Sequence, residues 1–405
     1  MSFMSQDKLL SILVTVVLLP GLTACNPLKG LSFGLGCTVD CQSPPPPPPE
    51  FLYATGINQI LAFTIDPSSG ALSAPQVTTG PNDSSGIVAS MNGQLYVSDF
   101  LNDEVDGFSI DSSSGVLTAI ANSPFSLGDT PPGAGGLSAF VEGGTYLYAT
   151  DLNAGKVAGF LYDSTSGMLT PLPGSPFPAG NTPVQAVQVA PQAGNPLFLY
   201  VSNLNDPVGG ISAFAINQQN GSLTQILGSP FPTGAPGYYP GPSAMVVSVD
   251  NNFLYVALAG TANANNQIAA FSINPTSGSL TALPQSPFPT GNDPLQMAYV
   301  PLTEGAESFL YTANIQDDTI SAFTVDHTSG VLTPVKGSPF AAGTSVMGLS
   351  QILTSSGNYF LYAAEPQAET VIAYTIDGNT GALTPLQGSP FAAGGAPSLL
   401  TTTSP

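Results

Sequence analysis

Arginine and tryptophan are absent from this 405-residue chain, histidine occurs once, and charged side chains make up only 7% of it. The charge present is of one sign, 25 Asp and Glu against four Lys, for a formal balance of −21. Each shortage excludes something. Nucleic acid is held by cationic surface that displaces counterions, and this surface is the reverse. Phosphorylated ligands lose the bidentate guanidinium clamp that phosphate sites commonly use. The sole imidazole, His327, stands in Asp326-His327-Thr328-Ser329-Gly330, at a turn position that other copies of the same motif fill with Pro, Ser, Gln or Gly. It reads as a solvent-facing turn residue, and no catalytic triad can be built around it. Long apolar runs are also missing: the stretch Leu9 to Leu19 falls short of the roughly 20 residues that a bilayer-spanning helix needs.

The flanks of that short run are informative. Lys8 precedes it and Leu22-Thr23-Ala24-Cys25 comes after it, a layout that resembles a bacterial lipoprotein signal with its lipobox. The expected mature chain begins at a diacylated Cys25 and is exported and anchored to a membrane through that lipid. Asn26, where an aspartate would favour retention at the inner membrane, points to the outer membrane in a host that has one. Residues 26–50 then form a tether containing Cys37, Cys41 and six consecutive prolines, Pro44 to Pro49. Polyproline rises ~3.1 Å per residue, so these hold the rest of the chain about 20 Å further from the anchor. Export makes a Cys37–Cys41 disulfide possible, although it would close only a tiny loop.

From residue 51 to 405 the chain repeats itself. Tyrosines at 53, 96, 148, 200, 255, 311 and 362 mark seven copies spaced 43 to 56 residues apart. Periods of this length belong to units that bury their apolar faces only by stacking on neighbours. Each copy reads as four strands. The second carries Phe-Leu-Tyr or a close variant, and the third reads Ile-x-Ala-Phe-x-Ile-Asp, as in Ile60 to Asp66. Alternation puts Ile and Ala on one face and Phe and Ile on the other, so both faces are covered. An [Asp/Asn]-x-x-[Ser/Thr/Asn]-Gly-x-Leu hairpin signal comes next in all seven copies, its acid bonding its own turn and its glycine taking positive φ. The fourth strand contains proline in most copies and belongs at the rim. A small or β-branched strand, such as Ser243 to Val249 or Leu295 to Val300, precedes each Phe-Leu-Tyr and belongs innermost.

The expected fold is therefore an all-β, seven-bladed propeller of four-stranded antiparallel blades. Its first copy lacks an inner strand, which Pro397 to Thr402 should supply, closing the ring by joining the C-terminal strand to the first blade. The scaffold motifs, with the recurrent Gly-Ser-Pro-Phe, resemble the lactonase-type propellers that include 6-phosphogluconolactonase-like enzymes. That resemblance implies lactone hydrolysis, while the missing arginine argues against a phosphorylated lactone.

Chemistry is harder to place. Three residues after the repeat tyrosines stand Asp99, Asp151, Asn203, Asn314 and Glu365, at the face shared by the blade-joining loops. Together they would offer a ring of oxygen ligands for a hard cation such as calcium, with Asp99, Asp151 or Glu365 as carboxylates able to activate water. The plainer reading is turn capping. Asn102-x-Glu104-x-Asp106-Gly107 begins like a calcium loop, but it falls on strand three and lacks the glutamate at the twelfth position. Six Ser-Pro-Phe serines, from Ser123 to Ser389, are too many to be nucleophiles and read as scaffold. Two functions fit: a binding or interaction module at the cell envelope, monomeric and taking a small molecule or protein but no nucleic acid, or a lactone (ester) hydrolase acting on a non-phosphorylated substrate.

Overall fold

Each copy of the repeat becomes one antiparallel sheet, and there are seven. The computed structural model describes residues 48–128, 132–137, 144–190, 195–204, 210–234, 241–259, 266–302 and 308–403. Cys25, Cys37 and Cys41, and with them the expected lipid-attachment site and most of the expected tether, lie outside the described residues. Blade 4 shows the pattern: inner strand Pro183–Val189, second strand Leu197–Asn203, third strand Gly210–Ile216 and outer strand Leu223–Gln225, hydrogen-bonded in that order. Successive residues face different neighbours. Ile60 and Ala62 of blade 1 pack with Leu95, Val97 and Phe108 of blade 2, whereas Leu61 and Phe63 pack with Phe360 and Tyr362 of blade 7. This is why the third strand is apolar at every position in its centre.

The repeat tyrosines are inter-blade bolts. All seven hydroxyls donate to the carbonyl of the hairpin glycine in the next blade, at 2.5–3.0 Å, from Tyr53 to Gly115 round to Tyr362 to Gly70. That glycine has φ near +70° and lies so close to the previous blade that a Cβ on Gly70 would collide with the Phe360 ring. Tyrosine, phenylalanine and glycine of the repeat are thus one contact seen from two sides. Replacing Tyr362 with Phe strands the Gly70 carbonyl in a buried seam and is expected to cost about 1–2 kcal/mol in urea unfolding. An unchanged midpoint would mean that the bolt at the closing seam contributes nothing.

Six blades differ from a simple four-stranded sheet in one respect. Their outer strand is broken into two short pieces that both pair with the third strand, as Leu223–Gln225 and Phe231–Pro232 pair with Gly210–Ile216. The Ser-Pro-Phe motif sits at the break, and the serine Oγ accepts the third-strand N–H left bare there, as Ser229 does from Ala213, at 2.8–3.0 Å in all six. A buried donor is satisfied in this way, so the serines are scaffold. Blade 1 has no such motif, and its outer strand Gln76–Thr79 runs unbroken.

Closure occurs as the sequence implies, with Leu400–Thr403 pairing against Glu50–Gly56 from Leu400 opposite Ala54 to Thr403 opposite Phe51. The strand starts later than Pro397 because Ser398 and Leu399 are held by the backbone and hydroxyl of Thr55 in an irregular link. In blade 5 the inner strand is Gly241–Val247, two residues earlier than Ser243 to Val249, because Ser248 already opens the turn to Phe253.

Candidate functional site

The inner strands converge on the axis, and their first residues leave a cavity of about 210 Å3 at the face where the blade-joining loops lie. Every blade contributes to its wall, which carries Ile87, Leu137, Leu295, Met347, Leu349 and Leu400 with the polar side chains of Ser85, Gln185, Ser243 and Gln296. Neighbouring inner strands approach closely because glycines allow it: a Cβ on Gly86 or Gly136 would lie 2.7 Å from the backbone of the next blade. Hydroxyls then stitch the strands together. Thr150 Oγ1 donates to the carbonyls of Gly136 and Val184, and Ser243 Oγ donates to those of Ala257 and Pro294. Among the described residues no ionisable side chain lines this cavity.

The five positions singled out in the sequence lie elsewhere. Asp99, Asp151, Asn203, Asn314 and Glu365 each end a second strand, still inside the sheet, and are at most 5% exposed. Each hydrogen-bonds within its own blade, and Asn314 and Glu365 also bond to the loop that joins their blade to the one before. Asp99 Oδ1 accepts the N–H groups of Leu101 and Asn102, and Asp151 Oδ1 accepts that of Ala154. Asn203 donates to Ser212 and Asn314 to Ser321, while Glu365 accepts from the Thr344 N–H and the Thr370 hydroxyl. Glycines of the blade-joining loops cover three of them: a Cβ on Gly180, Gly291 or Gly343 would collide with Asn203, Asn314 or Glu365. The structure therefore does not gather the five into a ring, and among the described residues no three of His, Cys, Asp and Glu meet to hold a metal. A hard cation wants about six to eight oxygens around one point. Here Asp99, Asp151, Asn314 and Glu365 each accept hydrogen bonds from their own blade or from the loop that leads into it, and not around a common point.

Asp106, which the sequence offered only as part of an incomplete calcium loop, stands out instead. In blades 4 and 6 the residue that ends the second strand is hydrogen-bonded to the third residue of strand three, Asn203 to Ser212 at 3.0 Å and Asn314 to Ser321 at 2.9 Å. Blade 2 has Asp99 and Asp106 at those two places, with Asp106 paired across the ladder to Val97 as Ser212 is to Val201. Burial, and then the charges of Asp99 and Glu104, push the Asp106 carboxyl up to about 6. The signal was available: the column Leu61, Asp106, Ala158, Ser212, Ala269, Ser321, Ile372 has a single charged member. The turn acids behave oppositely, since hydrogen bonds from Ser68 and Ser69 hold exposed Asp66 down at about 2.

A family model described as "Lactonase, 7-bladed beta-propeller" matches residues 140–347, just over half of the chain. The chain belongs to this family. No curated protein matches it. Among solved structures, a candidate 6-phosphogluconolactonase from Bacteroides uniformis is 17% identical with a TM-score of 0.69, over 88% of this chain and 99% of its own. The periplasmic gluconolactonase of Pseudomonas aeruginosa is 20% identical with a TM-score of 0.67, over 88% of this chain and 100% of its own. At such identities the likeness is one of fold. Within this lactonase-family propeller, the axial cavity and the Asp99–Asp106 pair are the two places where the scaffold rules give way to something else.

Proposed function

We propose that this lactonase-family propeller is a binding module of the cell envelope that takes an uncharged small molecule in its axial cavity, held off the membrane by the proline tether and a lipid on Cys25. The observation that carries the reading is the cavity wall: seven inner strands converge on it and bring no ionisable group among the described residues. An uncharged ligand leaves no buried charge unpaired there, whereas an anionic one would meet neither a counter-charge nor an arginine anywhere in the chain. Ser85, Gln185 and Gln296 offer the few polar groups that orient a ligand in such a site.

A second reading, lactone hydrolysis, is favoured by Asp99 and Asp106. Two adjacent carboxylates with one raised to about 6 make an acid and base pair suited to activating water near neutral pH. One experiment separates the two. Uncharged γ- and δ-lactones are titrated calorimetrically into the fragment beginning at Pro48 and assayed for ring opening, with and without calcium, beside Asp106→Asn. Binding without turnover is the expected result. Turnover abolished by Asp106→Asn would favour the hydrolase, and calcium-dependent turnover would restore a role for a hard cation. The anchor is tested separately: Cys25→Ser should release the protein from the membrane fraction, and retention there would refute it.

A further inference from the structure

The residue four positions after each repeat tyrosine, on the cavity face, is apolar in every blade: Ile57, Phe100, Leu152, Leu204, Ile315 and Pro366 follow the end of the second strand, and Ala259 of blade 5 is the last residue of its strand. Backbone geometry does not demand this. The fixed element is an N–H donated to the loop that leads into an inner strand, from Phe100 to Asp83, Leu152 to Gly133, Leu204 to Thr182 and Ile315 to Asp293. Any side chain could accompany that bond. Nor does burial explain it, because Ile57 is 68% exposed and Phe100, Leu152, Leu204 and Ile315 are only partly covered. On the opposite face the residue that opens the turn after each third strand is Asp or Asn in all seven blades, from Asp66 to Asp377, as is ordinary for such turns. One member of the set, Leu152, reaches an inner strand: a Cβ on Gly135 would lie 3.3 Å from Leu152 Cδ1. Gly135 immediately precedes Gly136 and Leu137 of the cavity wall.

We infer that the cavity and this crown form one apolar funnel whose ligand is an uncharged molecule with a small polar ring or ester head and an aliphatic chain. The inference rests on the binding reading above and specifies its ligand. A volume of about 210 Å3 corresponds to roughly seven waters, room for a head group beside Gln185 and Gln296. The chain then continues outward over Leu152 and its neighbours.

Two lactones of equal ring size test the inference by calorimetry on the fragment beginning at Pro48: δ-decalactone, with a pentyl chain, and δ-gluconolactone, with hydroxyls. Burial of several methylenes should make δ-decalactone bind at least tenfold more tightly. Leu152→Ser should weaken δ-decalactone at least threefold, with thermal unfolding recorded to show that the variant is folded, and Leu152→Met should retain the affinity. Equal or tighter binding of δ-gluconolactone overturns the aliphatic chain while leaving a binding module for uncharged ligands standing. An affinity for δ-decalactone that ignores Leu152→Ser overturns the funnel. Binding of neither lactone overturns this inference and counts against the reading beneath it.

Discussion

Deleting residues 396–405 is expected to lower the unfolding temperature by about 10 °C or more, and to leave a chain that associates on warming. The missing strand Leu400–Thr403 supplies four ladder positions to Glu50–Gly56. It also supplies Leu400 to the core shared by blades 7 and 1, and the Thr402 hydroxyl to the Gln351 carbonyl of the blade 7 inner strand. Burial of one leucine contributes about 2 kcal/mol, and each lost hydrogen bond about 1 kcal/mol. With the ladder positions, the Thr55 links to Ser398 and Leu399 and the Thr402 bond, the total is on the order of 10 kcal/mol, and in a domain of this size each kcal/mol moves the midpoint by roughly 1 °C. The deletion would also bare the edge of Glu50–Gly56, whose residues are all buried in the closed ring, a template for pairing with another chain. Leu400→Ala provides the graded control, with a loss of about 2–3 kcal/mol and no association. A truncated chain that melts where the full one does would show that the ring is held by the tyrosine bolts rather than by the shared blade.

Blade number, strand order and closure were legible in the sequence because they arise from residues that repeat: a tyrosine that bolts, a glycine that admits it, and a serine that fills a broken ladder. The site was less legible, for reasons that can be located. Asp99 and Glu365 read as mouth residues, but they remain in register with Glu104 and Thr370. A side chain inside the ladder points sideways into the seam, so one residue of error in where the sheet ends exchanged the buried position for the apolar crown. The cavity wall escaped for a related reason. Inner strands shift register between Pro183 and Ala186, between Pro242 and Met245, and between Pro294 and Gln296. Such irregularities break the two-residue alternation by which axis-facing residues would otherwise be read. His327, by contrast, behaves as expected of an exposed turn residue, with its ring in hydrogen-bond contact with the Ser308 hydroxyl.

Asp106→Ser is expected to stabilise the protein at pH 7.5 by about 1–2 kcal/mol, and to remove a pH dependence that the parent chain shows. Serine is what blades 4 and 6 place there, and it would hydrogen-bond to Asp99 much as Ser212 and Ser321 meet their asparagines. The sign of the pH effect is set by the raised carboxyl. In the unfolded chain Asp106 ionises near the ordinary value of 3.8, whereas in the fold it holds its proton to about 6. Between these values the folded state binds the extra proton, so stability falls as pH rises from about 4 and the loss is complete a little above 6. Two pH units of difference correspond to about 3 kcal/mol, reduced here because Asp106 is not fully buried. The parent should therefore gain stability when taken from pH 7.5 to 5 in urea titrations, and Asp106→Ser should gain much less, the exposed turn acids being common to both. A variant less stable than the parent at pH 7.5 would mean that Asp106 has a stabilising partner and that its charge is not a burden. A stabilised variant would show that one blade carries an acid its scaffold does not want, the usual mark of a residue kept for chemistry, and would make the Asp99–Asp106 seam the first place to look for turnover.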